Sequence, residues 1–276
     1  MSSTKNEKTY TDILFEGYLK QNNIAYTYEP FSSQHVGDKN PDFLFQKDNQ
    51  KILVECKELK SLPTDGLIGT ASFDMKRFTD PLKFRIKEAS KQLKPYINQV
   101  DSTIIIFAKK EGYQIQLNHI KYAMFGDPEF RIPFDPSGKN KPGSMYSDFK
   151  ANGKLRRNDP ESKLTIPYSR HISGVGIVTK TNKRNFYISK LIDKKLDTLG
   201  YEVTYDDKHL EENINKLFNI NAECSKDKPI IELNPKEDLC IIEIVINPFT
   251  THPLNNNMFN AFGDIVEHVT YTTEKI

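Results

Sequence analysis

The stretch Ser102–Ala108, STIIIFA, constrains the fold more than any other part of the chain. A continuous apolar run of this length is too short for a lone buried helix and fits a strand covered on both faces. Such a strand needs a layer of packed elements on each side, so an α/β arrangement is expected. With 276 residues, 37% hydrophobic and 28% charged, the chain can bury one substantial core, and its length allows one elaborated domain or two small ones.

The patterns flanking this strand predict its neighbours. TYTDILFEGYLKQNN sets Ile13, Leu14, Phe15, Tyr18 and Leu19 at helical spacing with Thr11 as N-cap, giving a helix over about residues 11 to 22. IAYTYEPF alternates as a strand, and DFLFQ and KILVECK follow as an antiparallel hairpin joined by the polar turn Lys47–Gln50. After a loop carrying Pro63, Gly66 and Gly69, Asp80-Pro81 is read as the cap of a second helix, LKFRIKEASKQLKPYI, with Pro95 kinking or ending it. The order is therefore αβββαβ, with helices on a mixed sheet. From Glu111 to His171 the pattern breaks into Pro, Gly, Asn and basic residues, too long for a simple connection, and is read as an insertion. ISGVGIVTK resumes as a strand, and the tail beyond Asn182 alternates helical (ISKLIDKKLDTLGY) and strand (LCIIEIVIN) patterns. The expected organisation is a single elaborated domain over 1–276: a core at about 8–110, a basic insertion at 111–171, and a continuation of the sheet with a C-terminal elaboration at 172–276.

Several classes are excluded by what the chain lacks. No segment reaches the roughly 18 to 20 apolar residues that span a bilayer, and the first residues lack a signal-peptide core, so a soluble cytoplasmic protein with no membrane partner is expected. Cys56, Cys224 and Cys240 are too few and scattered for a disulfide framework and are read as reduced, mostly buried thiols. The six histidines show no zinc-hydrolase spacing, and GVGIVTKTNK has a glycine pair without the rest of a phosphate loop. Asp238 and Glu243 in EDLCIIEIV imitate a carboxylate pair, but no lysine follows and they are read as surface charges.

KILVECK is unusual because charge enters where a core strand should stay apolar. By alternation Lys51, Leu53, Glu55 and Lys57 share one face, while Ile52, Val54 and Cys56 share the other. An unpaired charge buried there would cost several kcal/mol, roughly, so each other, a neighbouring charge, a metal or water must compensate it. The hairpin brings Asp42, at the start of DFLFQ, toward the end of this strand. Two carboxylates and one ammonium thus converge, an oxygen-rich site suited to Mg²⁺.

Pro41-Asp42, twelve intervening residues and Glu55-Cys56-Lys57 resemble the PD-(D/E)XK signature of the restriction-endonuclease-like nuclease superfamily, and the αβββαβ order is similar to its common core. The resemblance covers about residues 8 to 110, with 180 as its outer limit. It implies that Asp42, Glu55 and the main-chain carbonyl of Cys56 hold Mg²⁺ or Mn²⁺, and that Lys57 orients or helps deprotonate the attacking water. Glu16, on the flank of the first helix, fits a looser motif as a further catalytic residue; an exposed i,i+4 pair with Lys20 is the rival reading. Gln92 followed by Tyr96 is similar to a glutamine-and-tyrosine helix motif in which the glutamine supports the active site; an exposed polar face is the alternative.

Basic residues crowd the segment from Lys139 to Arg184, and Lys154, Arg156 and Arg157 are its candidate phosphate contacts, against the rival of a solvated loop. The Lys83, Lys87 and Lys91 flank of the second helix is the next candidate. The function expected is a Mg²⁺-dependent nuclease acting on DNA, of restriction, defence or repair type, with a homodimer compatible. A non-cleaving nucleic-acid binder on the same fold and an RNA-directed nuclease are the alternatives.

Overall fold

The computed structural model describes residues 7–31, 40–59, 75–108, 115–126, 128–131, 146–149, 153–158, 165–182, 238–255, 257–261 and 264–269. The chain begins α1 (Tyr10–Gln21), β1 (Tyr26–Tyr28), β2 (Phe43–Lys47), β3 (Gln50–Lys57), α2 (Met75–Leu93), a 3-10 segment (Lys94–Gln99) and β4 (Ser102–Ala108). It continues through α3 (Leu117–Phe125), β5 (Pro128–Arg131), β6 (Tyr146–Phe149), β7 (Arg156–Asn158), β8 (Thr165–Pro167), β9 (Gly174–Asn182), β10 (Asp238–Ile246) and β11 (Ile265–His268). Residues Met1–Thr179 and Cys240–Ile276 form one unit, and Lys180–Leu239 form a second, described only at its two ends. Within the second unit Lys180 pairs with Asp238 at 2.7 Å. The helical pattern of residues 188–201 lies outside the described residues.

The apolar run STIIIFA is β4, and every one of its residues is buried. It sits inside a seven-stranded mixed sheet of order β1-β2-β3-β4-β9-β10-β11. β1, β2 and β3 pair antiparallel, whereas β3, β4 and β9 run parallel, as do β10 and β11. Alternation divides the core as expected. Leu53, Ile105, Phe107, Val175 and Ile177 face α2 and α3, while Ile52, Val54, Cys56, Ile104 and Ile106 face α1. Each fully covered Ile or Phe contributes roughly 1.5–3 kcal/mol, and β4 places Ile104, Ile105, Ile106 and Phe107 in the middle strand of the sheet. The glycines of β9 have a packing purpose: a Cβ on Gly176 would lie 2.9 Å from the Glu243 carbonyl oxygen of β10, too close for any side chain. The glycine pair thus admits a neighbouring backbone.

Four local expectations are corrected. The N-cap of α1 is Thr9, whose hydroxyl accepts from the Asp12 N–H while the Asp12 carboxylate accepts from the Thr9 N–H. That reciprocal pair satisfies two N-terminal donors at once, which Thr11 could not; Thr11 instead donates to the Lys57 carbonyl at 3.2 Å. Ile13, placed on the apolar stripe, is 54% exposed, because at 3.6 residues per turn it lies nearly opposite the middle of the buried Leu14, Phe15, Tyr18 and Leu19. Pro81 is not at the start of α2 but inside it. Its missing N–H costs one helical bond, and burial of Thr79 and Leu82 on either side of it carries the helix through. Finally, part of 111–171 belongs to the main core: Ile115, Ile120, Ala123, Met124, Phe125 and Leu155 pack with α2 and the sheet. The α-helix ends at Leu93 just before Pro95, as anticipated. Among the described residues no helix is long and apolar enough to cross a membrane.

Candidate active site

The β2–β3 hairpin turns through Asp48 and Asn49, both at positive φ (49° and 63°), as a type I′ two-residue turn requires and as short polar side chains tolerate. The turn fixes the register Phe43↔Val54 and carries Asp42 beside the end of β3. There Asp42 is clamped twice: its N–H donates to the Val54 carbonyl at 3.1 Å, and its carboxylate accepts from the Cys56 N–H at 2.7 Å. The Asp42 side chain therefore takes a strand donor just beyond the start of β2.

Glu55 and Lys57 emerge on the α2 face of β3. Glu55 is buried, 1% exposed, and the Lys57 ammonium donates to its carboxylate. The same ammonium donates to the Gln92 side-chain oxygen of α2 at 2.8 Å. Gln92 is thus tied to Lys57 across the strand–helix interface and is not part of an exposed polar face. Tyr96, four residues on, stacks on Phe31 at 4.3 Å between ring centres.

The residue not anticipated is Asp12. α1 is docked onto the end of β3 by Thr11 and by the Tyr10 N–H, which donates to the Glu58 carboxylate at 2.8 Å. This docking buries Asp12 to 3% exposure and sets its carboxylate, that of Asp42 and the Cys56 thiol within 4.8 Å of one another. Thr9-Tyr-Thr-Asp12 before the apolar Ile13-Leu14-Phe15 fits the [ST]-x-x-[DE] capping pattern, a signal that places the N-cap at Thr9 and turns the Asp12 carboxylate back onto it, but not one for its burial.

Electrostatically the site has more carboxylates than cations. Burial first, then the Glu55 and Asp12 carboxylates, push Asp42 up to about 8, opposed by the Cys56 N–H and by Lys57. Burial, Asp42, Asp12 and Glu55 likewise drive the Cys56 thiol well above its ordinary value. The oxygens of Asp42 and Glu55 are the hard donors that Mg²⁺ or Mn²⁺ takes, and a divalent charge would relieve this crowding. The donor set fits such an ion.

Glu16 is held elsewhere. It pairs with Lys8 at 2.7 Å and Lys20 at 3.0 Å and accepts from the Tyr26 hydroxyl. The i,i+4 pair with Lys20 is therefore formed. Of the basic flank of α2, Lys87 and Lys91 are exposed, whereas Lys83 has a largely covered side chain 3.8 Å from Asp80. The other flank pairs Arg85 with Glu88 at 2.7 Å. Lys154 and Arg156 are half-buried beside α3, the Lys154 and Leu155 N–H groups donating to the carbonyls of Ala123 and Met124. The side chain of Arg157 and residues Lys139, Lys141, Lys150, Lys163, Lys183 and Arg184 lie outside the described residues, as does Cys224; Cys56 and Cys240 are buried cysteines in no disulfide.

No protein-family model, no curated protein and no solved structure matches the chain.

Proposed function

We propose that the chain is a metal-dependent nuclease hydrolysing phosphodiester bonds, with DNA as its first substrate class and a PD-(D/E)XK type of centre. The observation that carries this reading is the convergence of Asp42, Glu55 and Lys57 at one end of a hairpin, with Gln92 fixing the lysine from α2.

In this reading Asp42, Glu55 and the Cys56 carbonyl hold Mg²⁺ or Mn²⁺. The ion supplies Lewis-acid stabilisation of the charge that builds on the phosphoryl and leaving oxygens. Lys57 presents a localised positive charge whose direction is set by Glu55 and Gln92. From there it orients the attacking water and stabilises developing negative charge. Burial of Glu55 behind the strand end keeps bulk water from screening these charges. The exposed Lys87 and Lys91, with the basic segment that includes Lys154 and Arg156, are the phosphate-holding surfaces of this proposal.

The test is incubation of purified protein with linear, circular and single-stranded DNA and with RNA, in Mg²⁺, Mn²⁺, Ca²⁺ or EDTA. Cleavage in Mg²⁺ or Mn²⁺, weak cleavage in Ca²⁺ and none in EDTA is the expected result. Full activity in EDTA overturns the mechanism. Binding without cleavage in every metal would favour the non-cleaving alternative.

A further inference from the structure

We infer that the α1 side of β3 carries a second cation position, built from the Asp12 carboxylate, the Asp42 carboxylate and the Cys56 thiol, and selective for thiophilic divalent ions of the Zn²⁺ and Cd²⁺ class. Two observations carry it. One is proximity: each of the three residues offers a ligand atom within 4.8 Å of the others, close enough for small side-chain movements to bring them onto one ion with oxygen donors at about 2.0–2.2 Å and sulfur at about 2.3 Å. The other is Asp12 itself. It is buried, 3% exposed, and although one of its oxygens caps the Thr9 N–H, the other, Oδ1, forms no well-aligned hydrogen bond among the described residues, the Cys56 thiol being the neighbouring group that interacts with this carboxylate. An acceptor so placed costs about 1–3 kcal/mol, more when charged, and an ion on that oxygen removes the cost.

The position is distinct from the hard-oxygen centre because of strand alternation. Cys56 projects into the α1 core, whereas Glu55 and Lys57 face α2, so the two positions lie on opposite faces of β3 and have only Asp42 and the Cys56 residue in common. Sulfur decides the selectivity: thiolate binds Zn²⁺ and Cd²⁺ strongly and Mg²⁺ poorly. Binding replaces the thiol proton, which is released to solvent, and three protein ligands leave a fourth position for water. Because Asp42 serves both positions, a thiophilic ion should suppress cleavage supported by Mg²⁺; that consequence alone rests on the nuclease reading.

Cadmium is the probe, because a thiolate–Cd²⁺ bond gives an ultraviolet charge-transfer band. In a Cys224→Ser/Cys240→Ser background the band should appear, saturate at one equivalent and be accompanied by a rise in Tm. Asp12→Asn, which keeps an acceptor for the helix cap, should weaken Cd²⁺ affinity at least about tenfold, and Cys56→Ser should abolish the band. Glu55→Gln should retain it. No band in folded protein, or a band that survives Cys56→Ser, overturns the site. Should Cys56→Ser fail to fold, an Asp12→Asn protein that binds Cd²⁺ as tightly as its parent overturns it equally. Mg²⁺-dependent cleavage with no cadmium band sinks this site and leaves the nuclease reading intact, and a band without cleavage does the reverse.

Discussion

Asp12 and Glu16 stand four residues apart on α1, and the helix gives them opposite surroundings. Glu16 lies among Lys8, Lys20 and the Tyr26 hydroxyl; burial opposes its ionisation, but these donors win and hold it down at about 2. Asp12, one turn earlier on the same side of the helix, sits instead in a buried corner that it shares with Asp42 and Cys56, with Glu55 close enough to help drive Asp42 up. Both are carboxylates in the first turns of one helix, yet one is balanced by its neighbours and the other adds to an excess. The same helix thus carries one carboxylate matched by its neighbours and, one turn away, one that adds to a local excess of acid; the proposed metal centre is the reading that gives this excess a purpose.

The largest effect that could break this contrast is on cleavage. Asp42→Ala, Glu55→Ala and Lys57→Ala should each lower turnover by at least about 10²–10³-fold, the scale of losing a charge-stabilising group from a catalytic centre, in proteins that still fold by circular dichroism. Glu16→Gln should cost less than about tenfold; a loss as large as that of Asp42→Ala would move Glu16 into the centre and erase the distinction between the two clusters.

A smaller effect separates the clusters by pH in metal-free protein. Asp42 is raised from 3.8 to about 8, so its contribution to stability is complete below about pH 4 and is lost as pH climbs through 8. Glu16 is lowered from 4.5 to about 2, so its contribution is present above pH 4.5 and is lost as pH falls toward 2. Denaturant midpoints measured in EDTA should therefore drop between pH 5 and 8, with a slope of at most about 1.4 kcal/mol per pH unit for the single proton. Asp42→Asn should flatten that slope, and Glu16→Gln should leave it while removing loss on the acid side. A slope indifferent to Asp42→Asn would mean that the crowding is not felt there.

The smallest effect sharpens the geometry. Thr9→Ala should reduce stability by about 1 kcal/mol through the lost cap, seen as a lower denaturant midpoint at unchanged m-value, and Thr9→Ser should restore it. A null result would detach Asp12 from the cap that orients it.

Much of this arrangement was legible from residue order. STIIIFA announced a doubly covered strand, and the alternation in KILVECK divided Glu55 and Lys57 from Cys56 correctly. The hairpin followed from a short polar turn between two apolar runs. What was hidden depends on contacts distant in sequence. Asp12 reads as an ordinary first-turn acid until α1 docks through Thr11 on the Lys57 carbonyl, 46 residues away. Ile13 was misplaced because five apolar residues at 13, 14, 15, 18 and 19 cannot share one stripe: at 3.6 residues per turn Ile13 lies nearly opposite the middle of the other four. Pro81 marks a boundary by local rule alone, and tertiary burial overrode it. Gln92 could be read only as one of two flanks until Lys57 chose between them.

One consequence follows from the way α1 is seated. The Gln21 side chain exchanges two hydrogen bonds with the main chain of Cys240, at 3.1 and 2.8 Å, and the Tyr18 hydroxyl donates to Asp264 at 2.6 Å. These contacts span 219 and 246 residues of chain, and loop closure on that scale is the slow, entropy-limited part of folding. The other apolar partners of α1, Phe43, Phe45, Ile52 and Val54, lie near it in sequence, so the helix can seat on the hairpin early. The corner where it meets β3 is then formed before the distant strand and loop close over the far side of the helix.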